Sequence, residues 1–202
     1  MYYVQEVKGA LFDANGEYAG VDVGDLRYAG TPVPNHRGSF SLKLNVYRNL
    51  NISALCDWSL GQSLHNTTAQ YQAIYGNSSV RTDLGAKLDE LEPGTDEYIE
   101  TANAYAKTAN YDWNWIEKSD FFKLREISLS YDFTNLIPKV FGSNLISGFI
   151  LGVSGTNLWT TSKYPGADPD VSFDGTRGLQ RGDDFFTLQH PRVYNMWLRV
   201  RL

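Results

Sequence analysis

A chain of 202 residues can bury one sizeable core, and its formal charge of −5 with only 18 Lys and Arg offers no clustered basic surface to phosphate backbones, which excludes a nucleic-acid partner. Aromatic residues are 14% of the chain, yet no stretch approaches the ~20 consecutive apolar residues of a membrane-spanning helix, so a helical membrane protein is excluded too. The single cysteine, Cys56, rules out an internal disulfide and any multi-cysteine metal site.

The chain opens Met1-Tyr2-Tyr3-Val4-Gln5-Glu6, without the basic and apolar regions of a secretory signal. That fits either a cytoplasmic protein or a longer exported precursor whose first part precedes Met1. The first segment with candidate chemistry is Asp13-Ala14-Asn15-Gly16-Glu17, with Asp22 and Asp25 beyond it. These are the hard oxygen donors that calcium prefers, which makes Asp13, Asn15, Asp22 and Asp25 candidate ligands of a structural Ca2+. Gly16 comes two residues too early for an EF-hand loop, and an Asx-rich turn accounts for the same residues. No other cofactor is expected.

From Ser39 the residues alternate, with Phe40, Leu42, Leu44 and Val46 on one face and Ser39, Ser41, Lys43 and Asn45 on the other, which predicts a strand running toward Arg48. Asn49-Leu50 can turn tightly, after which Ile52, Ala54, Cys56, Trp58 and Leu60 share a face, so the two segments form a hairpin. A long connection follows, from Gly61 to Asp120. It holds an acidic stretch from Asp89 to Glu97, a run of helix-favouring residues from Tyr98 to Asn110 that Thr95 or Asp96 can cap, and then Tyr111-Asp112-Trp113-Asn114-Trp115. Rings alternating with polar groups suit the interfacial girdle of a membrane barrel. They also suit a platform for a sugar ring, with Tyr111, Trp113 and Trp115 as candidate substrate-binding residues.

Ile127, Leu129, Tyr131 and Phe133 alternate with Ser128, Ser130 and Asp132 in a third strand; upstream, Phe121 to Glu126 breaks the alternation, the signature of a bulge or a charged cluster. After a fairly short connection, Thr134 to Ser143, a fourth strand carries Phe149, Leu151 and Val153 and extends through Asn157-Leu158-Trp159. A second long connection, Ser162 to Gln189, holds Asp168, Asp170, Asp174, Arg177, Arg181, Asp183 and Asp184. The last strand sets Tyr194, Met196, Leu198, Val200 and Leu202 against Asn195, Trp197, Arg199 and Arg201. The three histidines, His36, His65 and His190, lie in separate connections without a zinc spacing, and no catalytic constellation is assignable, so an enzyme is not expected.

Each predicted strand approaches or exceeds the roughly 9 to 11 residues a tilted strand needs to cross a bilayer, and short connections alternate with long ones, as in outer-membrane barrels. A soluble antiparallel sandwich alternates in the same way because one face packs on a core. Pattern alone leaves both open.

The residues Phe122-Lys123-Leu124-Arg125-Glu126-Ile127-Ser128-Leu129-Ser130-Tyr131 resemble the late-barrel strand F-x-R-L-x-x-x-x-L-S-Y of SusC/RagA-like TonB-dependent transporters. In order after it, Ile137-Pro138-Lys139 resembles the family's short periplasmic turn, Val153 to Thr160 its V-S-G-x-N-L-F-T strand, and Lys163 to Val171 its K-Y-x-G-x-D-P-E-V loop. Upstream, Gly30-Thr31-Pro32-Val33-Pro34 is similar to a G-x-P-x-P entry to an earlier hairpin. Leu202 stands where the family usually ends on an aromatic residue.

The resemblance implies an all-β fold: an antiparallel transmembrane β-barrel segment, the last five or six strands of a barrel of roughly 22, with long extracellular loops, one of them partly helical. Residues 1–38 would be an extracellular loop region and 39–202 barrel strands and loops, with the plug domain absent from this chain. It further implies a bacterial outer-membrane transporter that imports a bulky glycan or peptide, partnered by a SusD-like lipoprotein, by outer-membrane lipid and, through a preceding N-terminal part, by TonB. The competing expectation is a soluble or surface-attached β-sheet module that binds carbohydrate. If the apolar faces of all the strands form one exposed band, the barrel reading holds; if they converge on a dry interior, it falls.

Overall fold

The computed structural model describes residues 1–47, 49–136, 147–173, 175 and 182–201. The Ile137-Pro138-Lys139 turn, Arg48, Asp174, Arg177, Arg181 and Leu202 lie outside the described residues. In chain order the elements are β1 (Tyr2–Phe12), β2 (Tyr18–Gly30), β3 (His36–Val46), β4 (Leu50–Leu60), β5 (Ser63–His65), α1 (Thr67–Ile74), α2 (Ser79–Glu90), α3 (Asp96–Ala106), a 3-10 turn (Asp112–Trp115), β6 (Ile116–Lys118), β7 (Phe121–Asp132), β8 (Gly148–Ser162) and β9 (Val193–Arg201). They divide into two compact units.

One unit, His36–Leu60 with Asp120–Lys163 and His190–Leu202, is an antiparallel sheet in the order β3-β4-β7-β8-β9, open at both edges. All the strands anticipated from period-two patterning are present, and in register. The broken alternation before Ile127 is a bulge: Leu55 pairs with Glu126 and Cys56 with Leu124, leaving Arg125 as the extra residue, and on β8 Asn157 and Leu158 fall between Thr156 and Trp159. Asn157 takes a left-handed φ of 53°, which asparagine tolerates better than most residues, and its side-chain amide donates to Pro191 O at 3.0 Å. Arg125 is used rather than wasted: its Nε lies 2.9 Å from Asp57 Oδ2 on the neighbouring strand.

The other unit gathers Met1–Asn35, Gly61–Ser119 and Tyr164–Gln189. Residues 1–38, expected as loop, contain the long β1–β2 hairpin. Register shifts between Gln5 and Val7 and between Val7 and Gly9 scramble its period, which is why alternation did not reveal it. Helices α2 and α3 pack on this hairpin around Leu88, Tyr98 and Ala102, with Ala10, Tyr18, Leu91 and Tyr105 against them. Polar bonds fix that docking: Tyr18 N donates to Tyr98 Oη and Ala10 N to Asn103 Oδ1, both at 2.9 Å. Thr95 caps α3 by accepting from Tyr98 N, while α1 and α2, capped by Asn66 and Ser78, were not visible in the sequence pattern.

Candidate functional site: an exposed apolar band and a buried polar cluster

Directly opposed residues share a face, so the registers decide where each side chain of the sheet stands. One row reads Leu44, Ile52, Leu129, Val153, Met196; the next reads Leu42, Ala54, Ile127, Gly155, Tyr194. Every apolar face therefore lies on the same side of the sheet, and it is not covered: Phe40 is 59% exposed, Ile127 39%, Val153 45%, Met196 77% and Leu198 56%. A soluble monomer seldom leaves so continuous an apolar surface open. The opposite side carries Lys43, Ser53, Ser128, Ser154 and Asn195 in one row and Asn45, Asn51, Ser130, Gly152 and Trp197 in the next.

Aromatic rings close the band at both ends. Toward the long connections, Phe122 meets Trp159 edge-on at 6.1 Å, and Trp58 lies across its partner Gly38 on β3, where a Cβ would come within 2.4 Å of the indole. Toward the short connections, Phe133 lies 4.6 Å from Tyr131 and 5.8 Å from Phe149. Leu50 to Trp58 is roughly 26 Å of strand at about 3.3 Å per residue. Tilted by about 40°, it spans about 20 Å, close to the roughly 25 Å apolar belt of outer-membrane barrels.

The polar cluster belongs to the other unit. β5 pairs with β6, and the segment from Gly182 runs parallel beside β5 through a His65–Asp183 bridge. Thr67 Oγ1 donates to Asp183 Oδ1; Tyr164 Oη donates to Asp184 Oδ2 at 2.8 Å, and Thr187 Oγ1 donates to Asp184 Oδ1. Asp184 and Tyr164 are buried. Asn66 Nδ2 donates to Glu117 Oε2 at 3.1 Å, and burial pushes the Glu117 carboxyl above the usual carboxylate range. Burial and the Asp183 charge push the Tyr2 hydroxyl up to about 12, and burial with the Asp184 bond drives Tyr164 up as well. Asp183 and Asp184 appeared in the sequence only as members of an acidic loop; nothing there tied them to residues 64–68, more than a hundred positions earlier.

The sequence-nominated residues fare differently. Asp112 to Trp115 form a 3-10 turn that leads into β6 at Ile116, and at three residues per turn the two tryptophans do not share a face. Trp115 is buried, its Nε1 donating to Ala109 O at 3.0 Å, whereas Tyr111 and Trp113 stay partly exposed. Asp13 makes an Asx turn, its Oδ1 accepting from Asn15 N and Glu17 N. Asp22, opposite Gly9, and Asp25 lie along β2, away from that turn. Among the described residues no three His, Cys, Asp or Glu side chains converge as a metal site.

No protein-family model matches the chain. It is 24% identical to TonB-dependent receptor P3 of Formosa agariphila over 200 residues, 96% of its length, and 25% identical to TonB-dependent receptor P39 of the same organism over 185 residues, 89% of its length. Those matches cover 19% and 17% of the two receptors, so the chain spans about a fifth of the curated relatives it matches. Among solved structures it is similar to the RagAB peptide importer in the 'closed-closed' state, with a TM-score of 0.66 and 17% identity over 98% of this chain and 22% of that one. The structure of the RagAB peptide transporter gives a TM-score of 0.56 and 20% identity over 83% of this chain and 20% of that one. The chain is thus similar in sequence to a stretch of the curated TonB-dependent receptors and in fold to a stretch of the RagAB chains.

Proposed function

We propose that this chain supplies the closing strands and outer loops of a TonB-dependent transporter in a bacterial outer membrane, which imports a bulky glycan or peptide. The observation that carries the reading is the single exposed apolar band, bounded by aromatic rings, on one side of a sheet whose other side is polar. A soluble carbohydrate-binding module would have to hide that band in a dry interior. The strand lengths, 9 to 15 residues from β9 to β8, support a tilted crossing.

The import of a bulky solute, the plug and the TonB contact belong to the rest of the receptor. The likeness to the RagAB peptide importer supports peptides as one cargo class; the two Formosa agariphila receptors leave glycans equally open. A SusD-like lipoprotein is the partner proposed for the long connections after Gly61 and Ser162.

Ile127 lies near the middle of the band. Ile127→Arg in the full-length receptor puts a charge near the bilayer midplane, at a cost of about 2 to 4 kcal/mol. We expect loss of the heat-modifiable, membrane-inserted form, with Ser128→Arg on the polar side retaining it. Insertion of both variants at the wild-type level would sink the membrane reading. Uptake of labelled oligosaccharides and peptides, with and without TonB, separates the cargo classes.

A further inference from the structure

We propose that an uncharged aromatic patch, formed by Tyr71 and Tyr75 of α1 with Phe173, Phe185 and Phe186, is a surface on which a partner protein docks through an apolar, uncharged face. The inference rests on the transporter reading, which gives the two long connections a lipoprotein partner, and it adds the residues and the chemistry of the contact.

Helix α1 is inside out. It buries Thr67, Gln70 and Ala73 and leaves its three bulky apolar residues, Tyr71, Ile74 and Tyr75, exposed. A helix on a globular surface does the reverse. The enclosed side is held by polar bonds: Gln70 Nε2 donates to Asn110 Oδ1 and to Asp112 Oδ1, both at 3.0 Å, and Thr67 Oγ1 donates to Asp183 Oδ1. The outer side cannot turn inward without breaking them.

The exposed rings continue off the helix. Tyr75 lies 5.9 Å from Tyr71, Tyr71 5.2 Å from Phe185, and Phe185 lies 5.3 Å from Phe173 and 5.0 Å from Phe186. Phe173 is 55% exposed, Phe186 60% and Tyr75 70%. Phe186 takes a left-handed φ of 50°, a conformation that bulky side chains avoid. Its N donates to Thr68 Oγ1 at 2.7 Å, and Thr187 Oγ1 donates to Asp184 Oδ1, so the backbone is pinned on both sides of the ring. An exposed ring fixed in this way is already ordered before a partner arrives, which lowers the entropic cost of binding.

Charge and ring geometry select the occupant. Residues 66–80 and 185–189 include no Asp, Glu, Lys or Arg, so nothing in them attracts a nucleic acid, an anionic lipid surface or a charged partner. Asp184, next to Phe185, is buried. Phe185 meets Tyr71, Phe173 and Phe186 at interplanar angles of 62°, 70° and 66°, edge to face, which makes a ridged surface rather than the flat ring face on which a sugar stacks. Apolar side chains of a protein fit between such ridges. Aromatic anchors with charged residues depleted are the composition of the core of a protein interface.

The test uses the full-length receptor with Cys56→Ser and one new cysteine at an exposed position beside the rings, Gln72→Cys or Leu188→Cys, and follows the rate of labelling by a water-soluble maleimide. We expect rapid labelling of the receptor alone, slowed about tenfold by its SusD-like lipoprotein, purified without the lipid, at about 50 mM and about 500 mM salt alike. Phe186→Gly, which keeps the left-handed backbone, and Tyr75→Ser, at an exposed position, should each raise the lipoprotein concentration for half-protection about tenfold, the effect of losing an interface anchor. Glu97→Gln, exposed on α3 and outside the patch, should leave it unchanged. Slow labelling of the receptor alone overturns the proposal in favour of the receptor's own outer loops as the cover. Protection by oligosaccharides without the lipoprotein overturns it in favour of a glycan. Absent protection, protection lost at the higher salt, or half-protection unmoved by both variants also overturns it. Each of these outcomes leaves the transporter reading standing, because that reading is tested by insertion of Ile127→Arg and by uptake.

Discussion

Burial raises the Glu117 carboxyl, the Asn66 amide pulls it back, and the Asp184 charge adds to the rise. A raised carboxyl favours the folded state only while protonated: that stability is complete below the unfolded value of about 4.3 and is lost as pH climbs through the higher folded value. Glu117→Gln keeps an oxygen for Asn66 and removes the charge. It should therefore stabilise the loop unit at pH 7 by less than about 1 kcal/mol, since the group is partly screened by solvent. The gain should vanish at pH 4, as read from urea midpoints at the two pH values. Trp115 makes a second residue-scale case. Trp115→Phe removes one of three donors to the Ala109 carbonyl, which keeps Tyr111 N and Asn114 Nδ2, and should cost about 1 kcal/mol, seen in thermal melts, while Trp113→Ala should cost far less. If the aromatic segment binds ligand, the affinity loss will therefore follow Trp113→Ala without a stability change. The alternation of rings and polar groups in residues 111–115 was legible, but its meaning was not. A 3-10 turn and a strand start give similar short patterns, and only the tertiary fold shows which ring is enclosed.

The sheet was legible strand by strand because residues of the apolar face and of the opposite face alternate from Phe40 to Val46 and from Tyr194 to Val200. The broken alternation from Phe121 to Glu126 left a bulge and a charged cluster both open, and the register makes Arg125 the extra residue of a bulge. The helices α1 and α2 were not legible, since neither carries a clear apolar stripe on its buried face and their caps, Asn66 and Ser78, are common loop residues. The β1–β2 hairpin hid behind its register shifts. Within the sheet, Gly152 sits opposite Trp197, and a Cβ there would come within 2.2 Å of the indole. Arg199 lies over the same ring at 5.7 Å. Gly152→Ala should push the indole off β8 and cost about 1 to 3 kcal/mol, lowering the temperature at which the full-length receptor loses its heat-modifiable band. Gly85→Ala, in α2 with only ordinary contact to the Tyr105 ring at 3.5 Å, should not lower that temperature.

At the scale of the chain, the described sheet ends on two unpaired strands, β3 and β9. Open edges in hydrocarbon leave backbone groups without partners, and in water they recruit other strands. The isolated chain should therefore fail to give a heat-modifiable, protease-resistant species in lipid vesicles and should aggregate instead; a stable inserted band from it alone would count against the barrel continuing beyond both edges. The resemblance to TonB-dependent receptors was readable because its landmarks fall in order along the sequence. The loop unit was not, because its contacts join positions far apart. Thr67 and Asp183 are separated by 116 residues, with β7 and β8 in between. Closing so large a ring of chain is entropically slow. Residues 63–68 must wait for both strands to be made before their partner segment exists. The parallel bridge at His65 is therefore a late contact of the growing chain, closed only after β7 and β8 have been synthesised.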